Sequence, residues 1–294
     1  MTVRLAGIFA VLCAAVLWGT TGTLQTLLPA DREPLVVAAI RLAVGALSLL
    51  AMALLAGDSR RAFAHLPLRP VIAAGMAIGL YNMLFFVAVT QAGVGVGTAI
   101  AIGSAPVWVT LYEALRLGRL PGPLRAFGQA ISILGAALLV LDSGGGASVG
   151  GMVLAAAAGA AYAAYSVATG GLGGRVPPAT LAAGTFTVAA LIAAPAFIAL
   201  PVAWAADPTA WPALAFLGVV TTGVAYALFT RGLARVATST AVTLSLMEPL
   251  TAWLLAIFVV GEAVTAQRLI GAGLVFAGLA LVTLAPVGRK TPQG

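Results

Sequence analysis

Long apolar runs separated by short polar connections fill the chain from end to end. A helix needs about 20 mainly apolar residues to cross a bilayer. Strands of an outer-membrane barrel would alternate apolar and polar residues over about ten positions, whereas these runs are longer and do not alternate. The pattern therefore predicts an all-α integral membrane protein with ten transmembrane helices, spans 1 to 10 in chain order: 5–28, 34–56, 68–91, 94–116, 123–141, 149–170, 177–201, 209–231, 236–260 and 267–285.

The composition agrees with a chain whose solvent is lipid. Hydrophobic residues make up 62% of the sequence and charged residues 8%, against about a quarter charged in soluble domains. The formal net charge of +7 lies mostly between the apolar runs, which is typical of membrane topology and argues against nucleic-acid binding. Cys13 and His65 are the single cysteine and histidine, so a disulfide within the chain and a multi-His metal site are excluded. No metal, cofactor or ATP-binding P-loop is expected.

The arginines predict the orientation. Cytoplasmic connections of membrane proteins carry an excess of Lys and Arg. With the N-terminus inside, the connections on the far side hold only Arg32 and Arg268, and the inside holds the rest apart from Arg41: Arg4, Arg60, Arg61, Arg69, Arg116, Arg119, Arg125, Arg175, Arg231, Arg235, Arg289 and Lys290. We therefore predict a multi-pass protein of a bacterial-type inner (plasma) membrane, with an uncleaved first span and both termini in the cytoplasm.

An internal repeat relates the two halves of the chain. Residues 106–141 align without a gap on residues 249–284, and four landmarks coincide: Pro106 with Pro249, Gly118 with Gly261, Gly128 with Gly271, and Gly135 with Gly278. We predict two five-helix repeats, 1–145 and 146–294. Because five is odd, the second copy enters the membrane inverted. Inverted repeats are typical of secondary transporters, whose substrate site lies near the midplane between the copies.

Polar and aromatic residues recur at helical spacing on spans 1, 3, 4, 6, 8 and 9. We predict that these six helices surround a central cavity and that the other four brace them. The alternative for any one residue is helix packing, since Ser and Thr often bond to their own helix. The candidate substrate-binding residues on these faces are Trp18, Tyr81, Asn82, Phe85, Ser104, Trp108, Tyr162, Ser166, Tyr226 and Ser245.

Glu248 completes this candidate set, because it lies near the centre of span 9 in the stretch AVTLSLMEPLTAWLL. A charge at that depth costs at least about 2.5–3.5 kcal/mol and must face protein or water, or hold a proton. Glu248 could bind a substrate amine, exchange a proton during transport, or bond to a neighbouring helix. Pro249 frees the carbonyl of residue 245, and Pro106 is expected to repeat that break in span 4. Candidate hinges, where kinks gather, are Gly19, Gly22, Pro106 and Pro249.

Other intramembrane charges are interpreted as structural. Arg41 is expected to snorkel, or to pair with Glu33 or Asp31, and Glu113 to pair with Arg116 at the membrane boundary. The segment GASVG at 146–150 matches G-x-S-x-G, but a nucleophile elbow needs a preceding strand and a nearby His. We discount it.

Several short segments resemble a known transporter family. They are WG at 18–19, LGRL at 117–120 and VGEAV at 260–264, within ten spans arranged as two halves. The chain resembles the drug/metabolite transporter superfamily and is most similar to its EamA-type exporters, especially those of amino acids, aromatic ones included. The family phrase is close to LGE after the fourth and ninth helices, whereas this chain has Arg119 in the first copy. The resemblance implies an inner-membrane exporter of small metabolites that works without ATP hydrolysis.

These observations predict a secondary transporter that exports amino acids, aromatic and other large neutral ones, by alternating access. The expected partners are a small-molecule substrate, the lipid bilayer and, on one interpretation of Glu248, a proton; the oligomeric state is left open. Export of flat cationic drugs is the alternative, because the same rings offer cation–π contacts. A channel would show a continuous polar pore and an intramembrane enzyme a catalytic constellation, and the sequence shows neither.

Overall fold

The computed structural model describes residues 2–56, 59–140, 148–261 and 263–285. Ten helices in these ranges are long and apolar enough to span a membrane, and the described residues contain no β-strand. Every predicted span matches one of them with ends that differ by three residues or fewer, so the predicted architecture is confirmed. Spans 1 to 10 are Val3–Gln25, Pro34–Leu55, Leu68–Ala92, Gly95–Leu117, Pro123–Val140, Val149–Gly171, Pro178–Ala199, Pro208–Leu233, Thr238–Val259 and Ala266–Leu284.

Proline and glycine set several helix ends. Pro34, Pro123 and Pro178 are the first residues of their helices, where a missing N–H costs no hydrogen bond. Gly118 follows the helix of span 4 with φ 61°, and Gly261 follows that of span 9 with φ 81°. Only glycine adopts this left-handed conformation without strain. These two glycines are partners in the sequence repeat, and they end equivalent helices in the same way.

The remaining glycine landmarks of the repeat form the crossing of spans 5 and 10. A Cβ on Gly135 would lie 2.6 Å from the carbonyl oxygen of Gly271, and one on Gly128 would lie 2.9 Å from that of Gly278. Because the repeat pairs Gly135 with Gly278 and Gly271 with Gly128, these two contacts are equivalent under the exchange of the two halves. Small residues let membrane helices approach closely, which strengthens their packing. The repeat therefore coincides with a structural interface built from matched positions.

The other interfaces also occur in matched pairs. The interface of spans 3 and 6 corresponds in the repeat to that of spans 8 and 1, and both form. The interface of spans 4 and 6 likewise corresponds to that of spans 9 and 1. Span 2 packs on its own counterpart, span 7, as span 5 does on span 10. Contacts between aromatic rings bring spans 1, 3, 6 and 8 together in the middle of the molecule.

Three spans near the centre are irregular. Span 1 consists of Thr2–Gly19 and Thr21–Gln25. Span 8 consists of Trp211–Gly218, a π-helical turn Val219–Val224, and Ala225–Leu233. Span 9 consists of Thr238–Leu244, Met247–Leu255 and a π-helical turn Ala256–Val260. Span 7 is also interrupted, between Pro178–Ala193 and Ala196–Ala199. π-Helical turns are frequent at functional sites.

Span 4 differs from span 9 in this respect, which corrects the expectation for Pro106. Its helix Val94–Leu117 continues through Pro106 without interruption. A proline inside a helix removes one backbone hydrogen bond, but the flanking turns can keep their own. The break at the second proline is therefore a property of one half of the molecule only.

The helix Ser59–Ala64 and the 3₁₀ turn Ala203–Ala206 lie in the connections, and the 3₁₀ turn Pro208–Ala210 begins span 8. Asp207 begins the last turn, and its carboxylate accepts a hydrogen bond of 2.9 Å from the backbone N–H of Thr209. This bond holds the pKa of Asp207 below its usual range. Ser148 caps span 6 by accepting from the N–H of Gly151, which gives it a structural task in place of a nucleophile's. Glu262 and residues 146–147 lie outside the described residues.

Candidate functional site

A cluster of aromatic rings occupies the centre of the molecule. The ring of Trp18 lies 4.8 Å from Tyr226, 5.2 Å from Phe229 and 6.2 Å from Tyr162, centroid to centroid. Tilted and edge-to-face geometries of this kind suit the charge distribution of aromatic rings. The complete cluster, drawn from spans 1, 3, 6, 7 and 8, is Trp18, Tyr81, Phe85, Phe86, Tyr162, Tyr165, Phe186, Tyr226 and Phe229.

Span 1 is buried more completely on one side of this cluster than on the other. Towards the end of span 1 that carries the chain's first residues, Val11, Ala14 and Ala15 are fully buried. On the far side, the segment Thr21–Gln25 contains no buried residue, and a Cβ on Gly22 would meet nothing within 4 Å. We call these the closed side and the open side. Tyr81 and Phe85, which extend the cluster towards the open side, are only partly buried.

Glu248 lies at the break in span 9, at the open edge of the cluster. Because Pro249 has no N–H to offer, the carbonyl of Ser245 accepts a tight-turn hydrogen bond of 2.9 Å from the N–H of Glu248. The carbonyl that the sequence predicted to be freed is thus satisfied by the neighbouring residue. Glu248 falls in the first turn of Met247–Leu255, where the helix dipole favours negative charge. Its side chain is partly exposed.

Span 1 meets span 9 directly at this point. A Cβ on Gly19 would lie 2.7 Å from the carbonyl oxygen of Glu248 and 2.5 Å from the Cβ of Thr251. Span 1 is itself interrupted here, since the N–H of Thr20 bonds to the carbonyl of Leu17 at 3.2 Å in a tight turn. The two irregular helices therefore touch at their breaks, and the absence of a side chain at Gly19 makes the contact possible.

Arg41, which the sequence analysis assigned to the membrane boundary, belongs to this site. It is 7% exposed, and its Nε donates to the Thr222 hydroxyl in the π-helical turn of span 8 at 3.3 Å. It lies close enough for its positive charge to act on Glu248, Tyr81 and Tyr226. A signal for this location was present. Arg41, Gly45 and Ser48 share one helical face, and Gly45 and Ser48 abut Thr222 and Gly223 of span 8.

Four predicted polar site residues bond to their own helices. The side-chain amide of Asn82 donates to the carbonyl of Ile78 at 2.9 Å, and the hydroxyl of Ser104 donates to the carbonyl of Ala101 at 3.5 Å. The hydroxyls of Ser166 and Ser245 donate to the carbonyls of Tyr162 at 2.8 Å and Val242 at 2.7 Å. Ser104 also packs against Gly159 of span 6, and Asn82 continues the face of Gly75 and Gly79 that contacts span 7. These contacts give Asn82 and Ser104 a place in helix packing, which was the alternative left open for them.

Trp108 is the predicted ring that the structure does not bring to the centre. It is 39% exposed and makes no ring contact with another described residue. The cluster instead contains rings that the sequence analysis did not select, among them Phe186 of span 7 and Phe229 of span 8. The ring centroid of Phe186 lies 4.4 Å from that of Tyr226, and Phe229 also contacts Tyr226. Spans 2 and 7, expected only to brace the cavity, therefore each contribute a side chain to the site.

Two surface depressions lie away from the rings. One of about 300 Å³ between spans 2 and 8 is lined by Ile40, Val44, Ala205, Trp211, Leu214 and Ala215. Another of about 180 Å³ is lined by residues of spans 4 and 5 and the connection between them, Gln129 among them. Neither includes a predicted site residue. Among the described residues, no group of three or more His, Cys, Asp or Glu side chains is placed to hold a metal ion.

Ten membrane-length helices with an irregular, partly charged centre define the class of a multi-pass membrane transporter, and comparison with known proteins gives the family. Residues 5–141 and 149–284 each match the EamA-like transporter family. The chain therefore belongs to the EamA-like transporter family, within the drug/metabolite transporter superfamily.

Characterised and uncharacterised relatives agree with this assignment. The chain is 35% identical over 284 residues to the uncharacterized transporter YwfM of Bacillus subtilis, covering 96% of this chain and 95% of YwfM. It is 29% identical over 264 residues to the threonine/homoserine exporter RhtA of Salmonella typhimurium, covering 87% and 83% of the two chains. A solved crystal structure shares the fold with a TM-score of 0.82 at 24% identity, over 97% of this chain and 98% of the other.

Proposed function

We propose that this transporter exports amino acids, aromatic and other large neutral ones, by alternating access to a single central site. The observation that carries the proposal is the position of Glu248. It is a partly buried acidic residue at a helix break, beside a ring cluster next to which span 1 is fully buried on one side only. A site that is reachable from one side and sealed from the other is what an alternating-access carrier requires in each of its end states.

The matched interfaces support an inverted repeat with halves 1–145 and 146–294. If each half adopts the conformation of the other, the same interfaces form with the closed and open sides exchanged. The arginine distribution supports cytoplasmic termini, so the closed side faces the cytoplasm and the open side faces outwards in this state. The two interrupted helices that touch at Gly19 and Glu248 are where the exchange would be accommodated.

The substrate class is supported by the relatives and by the lining. RhtA proteins are named as exporters of threonine and homoserine. Tyr81 and Phe85, the partly exposed rings at the edge of the cluster, add an apolar surface that suits larger side chains. A cationic drug is the second candidate, since rings and Glu248 both attract cations. It would meet the like charge of Arg41 in the same space, which favours a substrate that also carries a negative group.

Counterflow in proteoliposomes tests the proposal. Vesicles loaded with single amino acids should take up the same labelled amino acid in a saturable manner, with the large neutral ones most effective. Glu248→Gln should abolish this exchange if the carboxylate binds the substrate amine. If Glu248 instead carries a proton, the variant should still exchange but lose its response to a pH gradient. Uptake that does not saturate and shows no acceleration by internal substrate would contradict a carrier.

A further inference from the structure

We propose that Arg41 and Glu248 form a clamp for a zwitterion, in which the guanidinium binds the carboxylate of an amino acid and Glu248 binds its ammonium group. This inference rests on the proposed function and deepens it, because it assigns each end of the substrate to a side chain. It also gives Arg41 a role in binding that the sequence pattern did not suggest.

Arg41 has free hydrogen-bonding capacity in a place where that is costly. Arginine within a membrane span is expensive unless it is paired or faces water. Among the described residues its guanidinium makes one hydrogen bond, from Nε to the hydroxyl of Thr222. A guanidinium carries five N–H donors in a planar fork. The two terminal amino groups, which suit a carboxylate in a bidentate arrangement, therefore remain for a ligand.

Glu248 offers the complementary group. Its carboxylate accepts no hydrogen bond from a described residue and is partly exposed. The two charges interact with each other, yet the described residues show no direct ion pair between them. A carboxylate and a guanidinium in the same region of the interior, each with unused hydrogen-bonding groups, match a small molecule with one positive and one negative end.

Aromatic residues near the two charged groups indicate where the side chain of the substrate would lie. Thr222, which holds Arg41, is one helical turn before Tyr226, and the ring of Tyr226 lies 4.8 Å from Trp18. Gly19, the next residue after Trp18, abuts the backbone of Glu248. Arg41 is thus connected to the Trp18–Tyr226 pair through Thr222, and Glu248 through Gly19. An amino acid held at both charged ends would direct its side chain at these rings.

The test compares an amino acid with its amide, which keeps the ammonium group but has no carboxylate. Binding of phenylalanine and of phenylalanine amide to wild type, Arg41→Gln and Glu248→Gln would be measured by the change in intrinsic fluorescence, which does not require transport. Arg41→Gln should weaken phenylalanine by about ten- to hundred-fold, the loss expected for a charge-assisted hydrogen bond, and leave the amide unchanged. Glu248→Gln should weaken both ligands. Arg32→Gln, the same substitution outside the site, should change neither.

The outcomes separate this inference from the proposed function. Absence of any amino-acid exchange by wild type would overturn both. Normal exchange by wild type, with Arg41→Gln weakening acid and amide equally or not at all, would overturn the clamp alone. If Arg41→Gln does not yield folded protein, Thr222→Val removes the acceptor that orients the guanidinium. It should weaken phenylalanine more than the amide, and an equal effect on the two ligands would again overturn the clamp.

Discussion

The carboxylate of Glu113 on span 4 accepts a hydrogen bond of 3.4 Å from the backbone N–H of Ser239, in the first turn of span 9. Sequence analysis had paired Glu113 with Arg116 on its own helix. The N–H groups of a helix's first turn have no partner within the helix, so a carboxylate there satisfies one of them and complements the helix dipole. The contact joins the two halves of the molecule on the closed side.

Glu113→Ala should therefore loosen the closed side. The expected result is a shift towards the state that is open on that side, seen as faster labelling of a cysteine introduced at Thr240, which is 2% exposed, in a Cys13→Ala background. Glu33→Ala, which removes a carboxylate on the opposite side, serves as the control. Unchanged labelling at Thr240 would show that Glu113 does not hold the closed side together.

Gly19 and Gly22 were both predicted to be hinges, and the structure distinguishes them. Gly19→Ala would force its Cβ against Thr251 and the Glu248 carbonyl and should destabilise the protein by about 1–3 kcal/mol, with loss of transport. Gly22→Ala meets no neighbour and should retain the fold. Thermal unfolding in detergent measures the first effect. Equal stability of the two variants would contradict the close approach of spans 1 and 9.

Trp18 and Trp108 provide a similar comparison between two predicted site residues. Trp18→Ala removes a ring packed against three others and should cost about 3–5 kcal/mol as well as substrate affinity. Trp108→Ala removes a partly exposed ring and should leave affinity unchanged. Binding measured by the change in intrinsic fluorescence would serve both variants. A larger loss of affinity for Trp108→Ala would restore the original assignment of Trp108 to the site.

Pro249 and Pro106 are equivalent in the repeat but not in the structure. Pro249→Ala supplies an N–H that can bond to the Ser245 carbonyl, so span 9 should straighten, gain stability and lose activity as Glu248 moves. Pro106→Ala should affect transport less, because span 4 is already continuous. Initial rates of exchange provide the comparison, and a stronger effect of Pro106→Ala would place the essential break in span 4.

The fold was predictable because each span is a long, mainly apolar run, and Pro or Gly marks several of the helix ends. The repeat was visible for the same physical reason: glycines at 128, 135, 271 and 278 are required where spans 5 and 10 cross. The site was only partly predictable. Trp18, Tyr162, Tyr226 and Glu248 came from helical spacing, but spacing does not fix which way a helix faces. Trp108 and Arg41 were consequently assigned to the wrong surroundings relative to the cluster that forms.

Alternating access predicts that the helix ends on the closed side must separate in every transport cycle. A Cβ on Gly7 of span 1 would lie 2.7 Å from the Cβ of Arg235, which follows span 8. A disulfide needs about 3.5–4.5 Å between its Cβ atoms, so a separation of about 1 Å between the two helix ends allows the cross-link to form. The measurement is exchange of labelled amino acid by Gly7→Cys/Arg235→Cys in a Cys13→Ala background, before and after oxidation. The account predicts that oxidation stops exchange and that reduction restores it. Undiminished exchange by fully cross-linked protein would contradict the account.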